Sequence, residues 1–195
     1  MGKISDCYFF GTFNPLHFGH INLAKSVKKE FGFYKIIFMP AFCPPHKETL
    51  DFFHRFNMLK LALNKPYLEV SDLESHLEPP SYSYKTVNYL SADNGGAKIP
   101  FIIGYDAFID IEKWKNPEIL KEKLTFIVLK RHSGVQKQDI LALADRGFDF
   151  KIAESLDYFD VSSNEIRDKI KKNEDTTGLI DKKVRKYIDE HKLYR

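Results

Sequence analysis

Two histidines three residues apart, His17 and His20, form a pair whose spacing suggests chemistry. They end the stretch 11–20, which lies between an apolar segment typical of a buried strand (4–10) and a segment with a helical pattern of apolar residues (21–29). Loops of this kind lie at the carboxyl ends of strands, where open α/β sheets bind ligands. Because the first N–H groups of a helix carry about half a positive charge, histidines at this junction predict an anion site. The alternative is a plain connection with surface histidines, and the pairing favours the site.

Other residue types in this loop and in a second segment favour the same ligand. Gly11 has no Cβ and allows the backbone to approach a ligand closely. Ser162 and Glu165 have the spacing of a capping box, so a helix is predicted to start there. Ser163 and Arg167, at the start of that helix, predict a second phosphate clamp.

Two further features lie near the predicted end of an apolar strand, 99–104. Asp106 follows Gly104, and a carboxylate just past a strand end can accept hydrogen bonds from ribose hydroxyls. Asp106 equally suits the cap of the next helix, and both interpretations stay open. Trp114 lies among lysines, where a packing role and a stacking platform for a flat ring are both compatible with the sequence.

Three segments present polar side chains that we expect to border the same crevice. The proline-stiffened loop 41–48 presents His46 and Lys47, although a surface turn would explain both. A helix is predicted to open at Ser81 as its cap, with hydroxyls following within one turn, and a basic group follows the strand predicted at 124–129. The candidates of this group are Ser83, Thr86 and Arg131.

Apolar strand-like runs alternate with helical patterns along the chain. The predicted strands are 4–10, 34–40, 67–73, 99–104, 124–129 and 148–152, and the predicted helices include 21–29, 51–64 and 139–145. This alternation predicts an α/β fold with a doubly wound, mainly parallel sheet and helices on both faces. The end of the chain, 169–195, is predicted to be a basic helix with a solvated face.

Composition restricts the class of protein. The 195 residues are 43% hydrophobic and 29% charged, as expected of one globular domain spanning 1–195. A net charge of +3 is too small to predict nucleic-acid binding, and the two cysteines form no metal-like pair. With no membrane-length apolar stretch and an early first strand, a cytoplasmic protein is expected, and a homo-oligomer stays possible.

The histidine loop also resembles a known motif. Gly11-Thr12-Phe13-Asn14-Pro15-x-His17-x-Gly19-His20 is similar to G-x-F-x-P-x-H-x-G-H of the nucleotidyltransferase superfamily. Other segments, in the same order, resemble the bacterial nicotinate mononucleotide adenylyltransferase family: Pro44-Pro45-His46-Lys47, Pro80-Ser81-Tyr82-Ser83, Phe101-Ile102-Ile103-Gly104-x-Asp106, Trp114, Val161-Ser162-Ser163-Asn164-Glu165-Ile166-Arg167 and Leu193-Tyr194-Arg195.

The resemblance implies a Rossmann-like fold with a helical C-terminus and transfer of AMP from ATP to nicotinate mononucleotide, with release of pyrophosphate. It implies Mg²⁺ carried in with ATP, because no acidic cluster offers an all-protein metal site. The implied catalytic residues are His17, His20 and Arg167. The implied ATP-binding residues are Gly11, Thr12, Phe13, His17, His20, Gly104, Asp106, Ser162, Ser163 and Arg167. The implied acceptor-binding residues are Lys47, Ser83, Thr86, Trp114 and Arg131.

The sequence departs from the family pattern at three positions. Phe10 stands where a first glycine is common, Asn14 where aspartate is common, and Asn164 where threonine is usual. Alternative functions are the same chemistry on nicotinamide mononucleotide, transfer to another phosphate acceptor such as phosphopantetheine, and nucleotide binding without catalysis.

Overall fold

Six strands form one parallel sheet in the order β3-β2-β1-β4-β5-β6. The computed structural model describes residues 5–92, 94–130, 137–154 and 161–195. The strands are β1 Cys7–Gly11, β2 Ile36–Pro40, β3 Leu68–Val70, β4 Ile99–Gly104, β5 Leu124–Leu129 and β6 Phe150–Ala153. The chain reverses its winding direction between β1 and β4, and such a switch point opens a ligand crevice at the carboxyl ends of the strands. The prediction of a doubly wound parallel sheet is confirmed.

Helices cover both faces of this sheet. They are α1 Phe18–Phe31, α2 Phe52–Ala62, α3 Ser83–Ser91, α4 Tyr105–Ile109, α5 Pro117–Lys123, α6 Lys137–Asp145, α7 Ser163–Lys171 and α8 Lys182–Glu190. Two short 3₁₀ turns lie at Leu73–His76 and Ile111–Lys113. No helix in the described ranges is long and apolar enough to cross a membrane.

Alternate residues of the central strands supply two separate cores. Ile102 of β4 packs into the core with Phe38 and with residues of α1, α2, α7 and α8. Phe101 and its neighbour Phe126 pack into the other core, with residues of α3 to α6. Because a strand turns successive side chains to opposite faces, apolar runs such as 124–129 are buried on both sides.

Two local predictions are wrong. Ser81 does not cap α3: Tyr82 is the N-cap residue, and the Ser81 hydroxyl instead accepts a 2.9 Å hydrogen bond from the Cys43 backbone N–H. The predicted helix 169–195 is two helices, because the chain turns at Asn173 (φ 58°) and Gly178 (φ 78°), and left-handed residues end a helix.

Candidate active site

The paired histidines lie where β1 passes into α1. His17 is the N-cap residue of α1, and the two imidazole centroids are 3.7 Å apart with 36° between the ring planes. The His17 backbone N–H donates to His20 Nδ1 at 3.4 Å. Since a neutral imidazole carries one proton, this hydrogen bond assigns the proton to Nε2 of His20. His20 therefore has an N–H group left to donate to a ligand.

Burial keeps both histidines neutral at pH 7. His17 is 7% exposed, and its Nδ1 is buried without a hydrogen-bond partner in the described part of the chain. Burial lowers the pKa of His17 from 6.5 to about 4. Burial, and next the neighbouring His17, lower the pKa of His20 well below its usual value. The N–H groups of the pair can donate hydrogen bonds to an anion, and a bound negative charge would raise both pKa values.

Aromatic rings hold the His20 imidazole from behind. The Phe13 ring lies 5.1 Å from His20 and 5.5 Å from the Phe9 ring, centroid to centroid, and Phe13 has φ 49°. A Cβ at Gly11 would lie 2.8 Å from Cζ of Phe13. Glycine at position 11 therefore leaves room for the ring that packs on His20, in addition to the ligand approach expected from the sequence.

The start of α7 is fixed to the same loop. The Ser162 hydroxyl accepts from the Glu165 N–H at 3.1 Å, which confirms the predicted cap. The Ser163 hydroxyl donates to the Pro15 carbonyl at 2.9 Å. Arg167 donates through Nη1 to the Asn14 carbonyl at 2.8 Å and through Nη2 to Oδ1 of Asn164 at 2.6 Å. The loop 11–20 and the start of α7, together the donor edge, are one connected unit.

A cavity of about 530 Å³ opens on this donor edge. Its lining consists of Thr12, Phe13, Asn14, His20, Lys47, Glu48, Thr49, Ser163, Asn164 and Arg167. Among the predicted phosphate ligands, His17 and Ser162 do not line it. His17 is buried at the start of α1, and the Ser162 hydroxyl is used as a helix cap. The cavity thus brings together His20, Ser163 and Arg167 from segments far apart in sequence.

Two smaller cavities continue from it along the crevice. One, of about 210 Å³, is lined by residues that include Gly11, Thr12, Ser83, Gly104 and Trp114. The other, of about 380 Å³, is lined by Pro45, His46, Lys47, Ser81, Tyr82, Ser83, Lys113, Trp114 and Lys115. Thr12 and Lys47 each line two cavities, so the three form one crevice. We refer to residues 41–47, 81–86 and 113–115 as the acceptor wall.

The remaining predicted residues lie at the margins of this crevice or behind it. Asp106 is exposed in the first turn of α4, close to Gly104. Thr86 is 1% exposed, and its hydroxyl donates to Oε1 of Glu74 at 2.6 Å, so it lies on the buried side of the acceptor wall and does not line the crevice. Arg131 is outside the described residues. A separate cavity of about 880 Å³ beside the α7–α8 connection contains none of the predicted site residues.

Phe10, one of the three departures, lines the 210 Å³ cavity and packs on Phe101 with 4.6 Å between ring centroids. The backbone carbonyl of Asn14 accepts the bond from Arg167, an interaction that any residue at position 14 could make. Asn164 accepts from the same guanidinium through its side chain. The departures therefore leave the donor edge connected.

Three residues that shape the site were not predicted as site residues: Arg55, Glu74 and Tyr194, the last of which had been noted only as part of the family-like segment 193–195. Arg55 is fully buried and bonds to four backbone carbonyls around the crevice. Glu74 is 5% exposed, and Tyr194 donates to Oδ1 of Asn14 at 2.7 Å. A signal existed for Arg55, because it falls on the buried stripe of α2, between Phe52 and Leu59 at helical spacing.

Comparison with known proteins places this chain in a family. The cytidylyltransferase-like family model matches residues 8–169. A probable nicotinate-nucleotide adenylyltransferase of Clostridium tetani is 35% identical, covering 96% of this chain and 97% of that protein. The nicotinate-nucleotide adenylyltransferase of Bacillus subtilis is 37% identical, covering 95% and 96% respectively.

A solved structure shares the whole fold. Plasmodium falciparum nicotinic acid mononucleotide adenylyltransferase complexed with NaAD superposes with a TM-score of 0.81 at 23% identity, over 98% of each chain. At this identity the likeness shows the fold, and the sequence relatives show the family. The chain belongs to the cytidylyltransferase-like family and to the nicotinate-nucleotide adenylyltransferases.

Proposed function

We propose that residues 1–195 form one nucleotidyltransferase domain that transfers AMP from ATP to nicotinate mononucleotide, giving deamido-NAD and pyrophosphate. Relatives at 35% and 37% identity over nearly the whole chain carry this activity in their names. The observation that carries the proposal is the shared crevice, in which an anion-binding donor edge adjoins a wall containing Trp114.

The donor edge holds the triphosphate in this proposal. The Nε2–H group of His20 donates a hydrogen bond to the α-phosphate, where negative charge develops in the transition state. His17 supports His20 from the N-cap position of α1. Ser163 and Arg167 bind the β- and γ-phosphates, and Ser162 contributes by fixing the start of α7. Gly11, Thr12 and Phe13 form the floor beneath the nucleotide, while Gly104 and Asp106 bind the adenosine.

The reaction itself requires no general base. The acceptor phosphate has a second pKa near 6, so its oxygen is already an anion at neutral pH. That oxygen attacks the α-phosphorus of ATP, a new P–O bond forms, and the bond to the β-phosphate oxygen breaks as pyrophosphate leaves. Catalysis then consists of aligning the two phosphates in line and stabilising charge, the work of the donor edge.

The acceptor wall holds nicotinate mononucleotide. Trp114 is half-buried between two cavities, and its ring is available to stack on the pyridine ring. Lys47 lines both the 530 Å³ cavity at the donor edge, which we call the donor cavity, and the 380 Å³ cavity. Its ammonium group can therefore neutralise the acceptor phosphate. Ser83 supplies a hydroxyl, Thr86 acts through Glu74, and Arg131 is proposed as a further acceptor ligand.

Mg²⁺ belongs to the ATP complex in this proposal. The donor cavity contains one carboxylate in its lining, Glu48, and the described residues contain no group of three or more metal-ligating side chains. This donor set fits an ion held mainly by triphosphate oxygens and water, with Glu48 nearby. When bound, the ion would neutralise phosphate charge.

An assay of pyrophosphate release tests the proposal. ATP and Mg²⁺ are mixed with the protein and, in parallel, with nicotinate mononucleotide, nicotinamide mononucleotide, phosphopantetheine or no acceptor. We expect the highest kcat/KM with nicotinate mononucleotide. Preference for another acceptor would replace the substrate assignment, and no release with any acceptor would indicate a nucleotide-binding protein without catalysis.

A further inference from the structure

The first part of the acceptor wall, residues 41–43, has all its backbone polar groups hydrogen-bonded. The Ala41 N–H donates to the Gly11 carbonyl at 3.0 Å. The Cys43 N–H donates to the Ser81 hydroxyl at 2.9 Å, and the Cys43 carbonyl accepts from the Ser81 N–H at 2.8 Å. This segment is therefore fixed at one end to the donor edge and at the other to the approach to α3.

Between these ends, two buried charged side chains hold the Phe42 residue from both sides. Oε2 of Glu74 accepts from the Phe42 N–H at 3.3 Å. Nη2 of Arg55 donates to the Phe42 carbonyl at 3.3 Å and to the Ala41 carbonyl at 2.7 Å. The same guanidinium donates through Nη1 to the Thr12 carbonyl at 2.9 Å. Arg55 thus bridges the acceptor wall and the loop 11–20 of the donor edge, which we call the donor loop.

Glu74 continues the connection into α3. Its Oε1 accepts the Thr86 hydroxyl proton at 2.6 Å, and both residues are at least 95% buried, being 5% and 1% exposed. Glu74 also lines the 210 Å³ cavity beside Trp114. One carboxylate therefore fixes two segments of the acceptor wall relative to each other.

Stability is a weak explanation for this arrangement. Moving a carboxylate and a guanidinium out of water is costly, and apolar residues of similar size often stabilise a fold as well or better. What apolar residues cannot do is bind backbone N–H and carbonyl groups of three separate segments. The two charges therefore define positions in the crevice.

We propose that Glu74 and Arg55 are positioning residues that hold the acceptor wall at a fixed distance from the donor loop. The phosphate of the acceptor and the α-phosphate of ATP then meet in line. This inference rests on the proposed function. Misplacement of reacting groups by about 1 Å can cost on the order of a hundredfold in rate. Glu74 acts on the wall alone, whereas Arg55 acts on the wall and the donor loop.

Steady-state kinetics of Glu74 variants test the inference, with KM measured separately for ATP and for the acceptor. In Glu74→Ala both hydrogen bonds are lost, so we expect the acceptor KM to rise about tenfold while the ATP KM stays within about twofold. Because the acceptor phosphate is then misaligned, kcat should fall as well. Glu74→Gln can accept from the Phe42 N–H and donate to the Thr86 hydroxyl, so it should restore the acceptor KM to within about threefold of wild type.

A matched control separates positioning from stability. Asp149 accepts the Thr125 hydroxyl at 2.7 Å, as Glu74 accepts that of Thr86, and it also lies 3.6 Å from Nζ of Lys98. This group is at the amino end of β5, whereas the crevice is at the carboxyl ends of the strands. Asp149→Ala should lower the melting temperature without changing either KM. If it raises the acceptor KM, or if Glu74→Ala shifts both KM values equally, the inference is wrong.

Two further provisions keep the experiment decisive. If Glu74→Ala does not fold, Glu74→Asp keeps the charge but is one methylene shorter, and the same selective rise in acceptor KM is expected. If wild type prefers another acceptor, the proposed function fails, yet the KM comparison is made with that acceptor and still tests the positioning role.

Discussion

The donor edge and the acceptor wall face each other across one crevice but present different kinds of group to it. The donor edge uses buried or half-buried groups: His17 and His20 are neutral, and Arg167 is bonded to backbone and amide oxygens. The acceptor wall presents exposed lysines, such as Lys47 and Lys113, around a half-buried Trp114. Exposed charges are screened by water and salt, whereas buried donors are screened much less.

This difference indicates how the two halves divide the work. In the proposed function, donors fixed in a water-poor site need no reorganisation when charge develops on the α-phosphate, so they suit the chemical step. Solvated lysines attract an anionic acceptor but discriminate poorly between anions, so selectivity depends on the Trp114 ring and on the buried supports Arg55 and Glu74. Variants of the donor edge should therefore change kcat, and variants of the acceptor wall should change the acceptor KM.

The largest effect is expected for His20→Ala. Removing the Nε2 donor should lower kcat by roughly 10²–10³-fold, because in the proposed function that group stabilises transition-state charge. The acceptor KM should change little. The matched control is His76→Ala, which removes a histidine whose side chain is 69% exposed, and it should have wild-type kinetics. Near-normal turnover in His20→Ala would contradict the role assigned to this residue.

The second prediction concerns stability against pH. His17 has a pKa of about 4 when folded and an ordinary pKa of 6.5, so the unfolded chain binds more protons between these values. Stability from neutral His17 is therefore fully present above about pH 6.5 and is lost as the pH falls towards 4. The free energy of unfolding of wild type relative to His17→Asn should fall by about 2 kcal/mol between pH 7 and 4.5.

Urea unfolding of both proteins at several pH values measures this difference. The lowered carboxylate pKa values, such as those of Asp175 and Asp189, are present in both proteins and cancel in the comparison. A wild-type advantage that is constant from pH 7 to 4.5 would show that His17 is protonated normally. It would also break the contrast between a neutral donor edge and a charged acceptor wall.

Sequence alone predicted what depends on neighbouring residues. The strand 124–129 has the same bounds in the structure, because a run that is apolar apart from Thr125 needs no distant partner to define it. The cap of α7 by Ser162 is also confirmed, with its hydroxyl accepting from the Glu165 N–H at 3.1 Å. The histidine loop was found for the same reason, since its residues are contiguous.

What the sequence did not reveal depends on partners far along the chain. The bond from Arg55 to Thr12 spans 43 residues, and the bond from Tyr194 to Asn14 spans 180. Ser81 looked like a cap because the local pattern is correct for one, but its hydroxyl accepts from Cys43, 38 residues earlier. No local periodicity encodes such pairings. The supports behind the acceptor wall were therefore missed, while several of the predicted site residues do line the crevice.

A third prediction tests the acceptor wall. Trp114→Ala should raise the acceptor KM by about tenfold, since stacking of a base on an aromatic ring contributes about 1–3 kcal/mol. Trp114→Phe keeps a ring and should lose only part of this affinity, and the ATP KM should stay near wild type in both variants. If Trp114→Ala instead raises the ATP KM, the ring lies against the adenine and the two sides of the crevice must be exchanged.

The smallest effect is expected at the end of the chain, where Tyr194 supports the donor edge. Tyr194→Phe removes the 2.7 Å hydrogen bond to Oδ1 of Asn14, a residue that is 9% exposed. Losing one partner of a buried pair costs about 1 kcal/mol, which corresponds to a fall in melting temperature of about 2–4 °C for a chain of this size.

Because Asn14 belongs to the donor loop and its carbonyl accepts from Arg167, any kinetic change should appear in the ATP KM or in kcat. Thermal melting and separate KM measurements check both points. An increase confined to the acceptor KM would show that the C-terminal tyrosine acts on the acceptor wall, and the division between the two halves would have to be redrawn.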